Sequence, residues 1–233
     1  MTFTTLQTTF EWLLLFHITL PVLLLITAAT VPSVATSLAA YLLPLAKALD
    51  ALSKHLGHLT SWLALAMVLV TTTVVLLRYV FGLSFIWLQE SVTYMHGLLF
   101  MLAAAYTLWV DGHVRVDVFY RTASETRRAL VDFLGTYFLL FPVMFLIIDT
   151  ALPYVAFAWA VQEGSKETSG IQAIYLLKGV ILIFAYLMIL QGLAIAIHRA
   201  AFLTGLEGHD DHEDAQTVPH AGSAENKSAR GVS

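Results

Sequence analysis

The chain contains no cysteine, which excludes disulfides, thiolate metal sites, iron–sulfur clusters and thioether-attached haem. Charge is almost as scarce: Asp, Glu, Lys and Arg make up 12% of the residues against 58% hydrophobic, with a mean hydropathy of +0.77. That balance excludes the soluble globular class and places the chain among polytopic membrane proteins. No Lys or Arg precedes Lys47, so the N-terminus lacks the basic region of a cleavable secretory signal, and the first apolar run is read as retained. Also missing are a P-loop, a His-Glu-x-x-His pair and a Gly-x-Ser-x-Gly elbow, so no enzymatic chemistry is expected. A net charge of −4 gives no reason to expect a nucleic-acid partner.

What is present is a series of apolar runs separated by short polar joints. Acidic and basic residues balance up to Thr204, whereas residues 205–233 carry six acidic residues against Lys227 and Arg230. The body is neutral, and the tail, rich in Asp, Glu, His, Ser and Gly, is expected to stay disordered. Residues 12–29 are an uncharged run of 18, long enough for roughly 27 Å of helix. Residues 1–44 are read as one additional span, with a hairpin turning at Val31-Pro32-Ser33 as the alternative.

From residue 45 to 63, leucines recur at 45, 49, 52, 56, 59 and 63 while Lys47, Asp50, Lys54 and His58 lie between them. This pattern predicts an amphipathic helix in the membrane surface. Four core spans follow, over residues 62–81, 85–110, 124–159 and 171–202. Gly82-Leu83-Ser84 forms a tight hairpin, residues 163–170 form a polar loop, and Gly205 closes the last helix. Thr122 and Glu125 fit a capping box at the start of the third span, which Pro142 and Pro153 should kink. The fold class is therefore an all-α integral membrane protein: four core transmembrane helices, an extra N-terminal hydrophobic segment and an amphipathic interfacial helix. Its parts are residues 1–44, a four-helix membrane domain over 45–204, and the tail.

Lys47, Lys54, Arg115, Arg121, Arg127, Arg128 and Arg199 all fall at one face of these spans, and only Lys166 lies in a loop of the other. The positive-inside rule makes the first face, with the acidic tail, cytoplasmic. Trp12, Trp62, Trp87, Trp109 and Trp159 each fall near a predicted boundary, where indoles prefer to sit. An odd number of spans then puts the N-terminus outside. Residues 111–121, reading Asp-Gly-His-Val-Arg-Val-Asp-Val-Phe-Tyr-Arg, become a cytoplasmic interfacial turn, with His113, Arg115 and Asp117 facing water, lipid phosphate or a partner.

Arg78, Glu90, Asp149 and Lys178 are the ionisable groups within the apolar runs, and each is costly to bury alone. Helical rise places all four in the outer part of the membrane, which predicts an interhelical charge cluster with Arg78 and Glu90 as its leading pair. An ion or proton relay is the functional alternative. His17, His96 and His198 could ligate haem only if two of them faced each other at one depth; none is so spaced on a single helix, and no cofactor is expected. The run His209-Asp210-Asp211-His212-Glu213-Asp214 reads as solvated tail rather than a metal site. Gly192, Ala196 and Ala200 give the last helix a face that another helix can approach closely.

Arg78-Tyr79-Val80-Phe81-Gly82, Trp87-Leu88-Gln89-Glu90, Gly112-His113-Val114-Arg115-Val116-Asp117, the Lys178 helix and Gln191-Gly192 occur in an order that resembles the small membrane subunit of tripartite ATP-independent periplasmic (TRAP) transporters, the DctQ-like family. The resemblance spans residues 45–201. It implies a bacterial inner-membrane scaffold that pairs with a large membrane subunit and a periplasmic substrate-binding protein in sodium-driven uptake of organic acids. It also implies that Trp87, Gln89, His113, Arg115, Asp117 and Gln191 are candidate partner contacts. Gln89 stands where relatives often have a second acidic residue beside Glu90. A haem-carrying redox subunit and a homo-oligomeric channel are the rival readings.

Overall fold

A computed structural model of the chain describes residues 18–113 and 123–206. Five helices account for most of them: α1 (Ile18–Thr30), α2 (Pro32–Tyr79), α3 (Ile86–Trp109), α4 (Glu125–Ala160) and α5 (Ile174–Leu203), of which α2 to α5 are long and apolar enough to cross a membrane. Trp12, His17, Arg115, Asp117, Thr122 and the acidic, histidine-rich run of the tail lie outside the described residues.

The N-terminal half departs from its expected division. Residues 32–44 and the amphipathic stretch over 45–63 are not separate elements. They are the first turns of α2, one helix of 48 residues that runs on into the expected first core span and measures about 72 Å at ~1.5 Å per residue. The break falls instead at Val31, before Pro32 at the first turn of α2, the position where a missing N–H and a fixed φ cost least. Among the described residues, α1 is a short apolar helix of under 18 residues ahead of that break.

The most deeply buried stripe of α2 lies one residue round from the leucines. Ala35, Ala39, Leu42, Ala46, Asp50, Ser53, Gly57 and Thr60 are buried, whereas Leu45, Leu49, Leu56 and Leu63 are half-buried and Leu52 and Leu59 are 41% and 61% exposed. Lipid is as apolar as leucine, so burying leucine between helices gains little there, while small and polar residues gain close packing and hydrogen bonds. The small stripe therefore makes the seam.

Helix α5 is central and packs against α2, α3 and α4, while α2 and α3 pack on each other as an antiparallel hairpin. Along α5, Ala185, Ile189, Ala194, Ala196, Ile197, Ala200 and Ala201 are fully buried, joined by Leu24 of α1, Leu42 of α2, and Phe141 and Ile148 of α4 in one core. The small face expected at Gly192, Ala196 and Ala200 is buried here. A methyl group on Gly192 would lie 2.4 Å from Leu140 Cδ2 and 3.1 Å from Phe141. At this contact α4 widens into a π-turn, Thr136–Leu140, in which the Phe141 N–H reaches back to the Thr136 carbonyl. Pro142 follows directly, so the wide turn sits where proline removes a helical hydrogen bond and crowds the preceding turn.

Three helices end in the same way. After α3 the N–H groups of Asp111 and Gly112 bond Leu108 and Thr107 carbonyls, after α4 those of Gln162 and Glu163 bond Trp159 and Ala158, and after α5 those of Gly205 and Leu206 bond Phe202 and Ala201. Each is a Schellman closure with Asp111, Gln162 or Gly205 at positive φ,. At the other end of α4 the N-cap is Ser124, which makes no side-chain cap hydrogen bond, and Glu125 stands at N1 rather than at the N3 position expected of a capping box.

Candidate functional site

Two polar constructions tie the helices together, one at each end of the bundle. The first is buried between α2 and α5. Gln191 Nε2 donates to Asp50 Oδ1 at 2.9 Å, Ser53 Oγ donates to Gln191 Oε1 at 2.6 Å, and His198 Nε2 lies 3.0 Å from Asp50 Oδ2. Asp50, Ser53, Gln191 and His198 are 8%, 3%, 1% and 4% exposed. Asp50 and Ser53 are three apart on α2 and meet Gln191 and His198, seven apart on α5, so the network spans two turns of the helix seam. One residue beyond His198, Arg199 forms an ion pair with Asp132 of α4 at 3.1 Å. The carboxylates thus join α5 to two neighbours in succession. Gln191, a candidate partner contact by sequence, instead serves the chain's own packing.

The second construction closes the opposite end, where the α2–α3 hairpin meets the α4–α5 loop. Glu90, in the second turn of α3, accepts a hydrogen bond from Ser165 Oγ and one from the Ile171 N–H at 2.6 Å. Gly170 makes this approach possible: a methyl group there would lie 2.2 Å from Ser165 Oγ and 2.6 Å from Glu90 Oε2. Lys178 of α5 pairs with Glu163 at the other end of the same loop, and its Nζ lies 4.0 Å from the centre of the Tyr154 ring. Glu90 and Lys178 therefore hold the loop between them.

The expected four-member charge cluster is not formed. Among the described residues Glu90 and Lys178 have loop partners rather than Arg78 and Asp149, which are both exposed on the bundle surface. Helical rise placed all four at similar depth, but rotation about each helix turns two of them outward. Arg78 lines a shallow cleft at the α2–α3 elbow with Ser84, Leu88 and Gln89, where Gln89 Nε2 donates to Ser84 Oγ at 2.8 Å. Trp87 is 51% exposed, and His113 is exposed just beyond α3.

His96 is exposed in mid-α3, while His198 is engaged by Asp50. Of the tryptophans, Trp62, Trp87 and Trp159 are largely exposed but Trp109 is 3% exposed, tilted against Tyr106 at 5.7 Å. Trp109 belongs to the packing of α3 rather than to an interfacial belt.

The buried network escaped sequence reasoning because Asp50, Ser53 and His198 sit among charged or apolar neighbours that suggest other roles. The available signal was the stripe Ala46, Asp50, Ser53, Gly57 and Thr60, which repeats with the same spacing as the leucines.

Asp50, Ser53, Gln191 and His198 bond one another and Glu90 and Lys178 bond the α4–α5 loop, which is the chemistry of a packed brace. No curated protein and no solved structure matches the chain. The family model described as "Tripartite ATP-independent periplasmic transporters, DctQ component" matches residues 67–202, from the second half of α2 to the end of α5, so that Asp50 and Ser53 precede the matched region while Gln191 and His198 lie within it. With more than half its length matched, the chain belongs to the DctQ family, the small membrane component of TRAP transporters.

Proposed function

We propose that this chain is a non-catalytic scaffold: it braces the large membrane subunit of its transporter for sodium-driven uptake of an organic acid handed over by a periplasmic binding protein. The family match across α2 to α5 carries this reading. Two features of the chain support it. The Asp50, Ser53, Gln191 and His198 side chains bond one another between α2 and α5, as a packing brace does rather than a solute site. In addition, the most apolar windows of α2, α3 and α4 are only 6%, 6% and 28% buried, so the spans together leave wide apolar surface to be shared between lipid and a second membrane protein.

The positive-inside rule orients the scaffold in the bacterial inner membrane with the Asp50 network and the C-terminus towards the cytoplasm, and the Glu90 loop closure towards the periplasm. Residues 111–121, with His113, Arg115 and Asp117, then face the cytoplasmic headgroups or the large subunit, and Trp87 and Gln89 face the periplasmic edge. The large subunit carries the moving parts and the solute. The test is co-expression of a tagged chain with the large membrane subunit of a TRAP transporter from the same source. A stable detergent-resistant complex is expected. A chain that elutes alone, or that conducts ions by itself in a planar bilayer, overturns the reading.

A further inference from the structure

Asp149 is the ionisable side chain of the spans that the fold leaves in the least tenable place. It is exposed on α4, eleven residues before the helix ends at Ala160, or about 16 Å along the axis. Its short side chain cannot reach the headgroups, whereas Arg78, one residue from the end of α2, can extend its long stem to the interface. His96 carries no obligatory charge. Among the described residues Asp149 gains no compensation: Lys178 is committed to Glu163, and the neighbouring Thr150 hydroxyl bonds back to the Leu146 and Ile147 carbonyls.

Pro153 sharpens the point. It lies inside the helix, four residues after Asp149, and has no N–H to give the Asp149 carbonyl its usual intrahelical bond. A carboxylate and a main-chain carbonyl short of its helical donor thus occur at one residue, on a face whose other members, Val143, Leu146 and Phe157, are 46%, 62% and 68% exposed. Acceptors without donors are not left against lipid tails.

We infer that this face of α4 is where the large membrane subunit docks, through a transmembrane helix that presents a lysine, an arginine or another strong hydrogen-bond donor at the depth of Asp149. The inference rests on the scaffold reading and adds to it the contact face and the chemistry of the contact. Apolar packing from Val143, Leu146 and Phe157 surrounds the polar pair and keeps lipid and water from it, so the pair gives register and specificity while the rim gives area.

The absence of cysteine makes the test direct. Single cysteines at Leu146 and Phe157, and at Thr93 and Phe100 on the exposed side of α3 as the comparison face, are fitted with a photo-crosslinker in the co-expressed complex, with Asp149 intact. Crosslinks to the large subunit are expected from the α4 positions and not from the α3 pair. In parallel, Asp149→Leu is expected to lower the yield of co-purified large subunit at least tenfold and Asp149→Asn, which keeps an acceptor, less than threefold, with thermal unfolding of the isolated chain unchanged in both. Crosslinks from α3 alone, or full co-purification with Asp149→Leu, overturn the docking face while leaving the scaffold reading in place. Failure of the unsubstituted chain to co-purify overturns both.

Discussion

Asp50→Ala is the sharpest probe of how the helices are held. The carboxylate accepts from Gln191 Nε2 at 2.9 Å and faces His198 Nε2 at 3.0 Å. Gln191 and His198 are 1% and 4% exposed, so neither can turn to water when the carboxylate is removed. Interhelical hydrogen bonds within membranes average only about 0.6 kcal/mol, with about 1.7 at the top of the range, but a buried donor stripped of its acceptor costs about 1–3 kcal/mol. With two such donors, and some rearrangement through Ser53, the expected loss is roughly 2–4 kcal/mol. Equilibrium unfolding in mixed micelles, followed by tryptophan fluorescence, measures it. Lys54→Ala, on the exposed side of the same helix, should stay within about 0.5 kcal/mol of the unsubstituted protein. Combining Asp50→Ala with Gln191→Leu should cost less than the two singles added together, because the second change removes a donor already orphaned. An Asp50→Ala protein no less stable than Lys54→Ala, or strictly additive losses in the cycle, would refute the network as a structural tie.

Three further expectations follow from close approaches and from orientation. Gly170→Ala would place its methyl group 2.2 Å from Ser165 Oγ and displace the loop from Glu90; faster proteolysis within residues 163–170 of the reconstituted protein is expected, and an unchanged cleavage rate would count against the closure. Gly57→Ala drives a methyl group to 2.2 Å from Tyr106 Cδ2, and overpacking of this kind should cost about 1–3 kcal/mol in the same unfolding assay. A membrane-impermeant maleimide should label Ser84→Cys in intact spheroplasts and His113→Cys only after permeabilisation; the opposite pattern inverts the topology.

The spans were readable because long apolar runs have few alternatives: the hairpin at Gly82 to Ser84 and the joints after Trp109 and Ala160 follow from where apolarity stops. Gly205 likewise announces the end of α5, since only a residue tolerant of positive φ completes that closure. Asp111 and Gln162 do the same work after α3 and α4 without such a signal, because neither residue is specific to that conformation.

The inward stripe of α2 was hard to pick out beside its leucines for a physical reason. A leucine stripe marks the buried side of a helix in water, but between membrane helices it is Ala46, Asp50, Ser53 and Gly57 that pack inward. The charged residues show what depth alone leaves out. Glu90 and Lys178 turn to the α4–α5 loop while Arg78 and Asp149 turn away from the bundle, a choice set by helix rotation, which follows from packing around α5. Trp109 was expected at an interface on position alone, and its burial against Tyr106 is likewise a matter of rotation.

The scaffold assignment is tested most directly by transport in proteoliposomes. The large membrane subunit, this chain and the periplasmic binding protein are reconstituted together or with one omitted, under an inward sodium gradient and with labelled organic acids loaded on the binding protein. The account predicts uptake that needs all three proteins and the gradient, with no solute or ion flux through vesicles holding this chain alone. Flux through the chain alone, or full uptake in its absence, would contradict it.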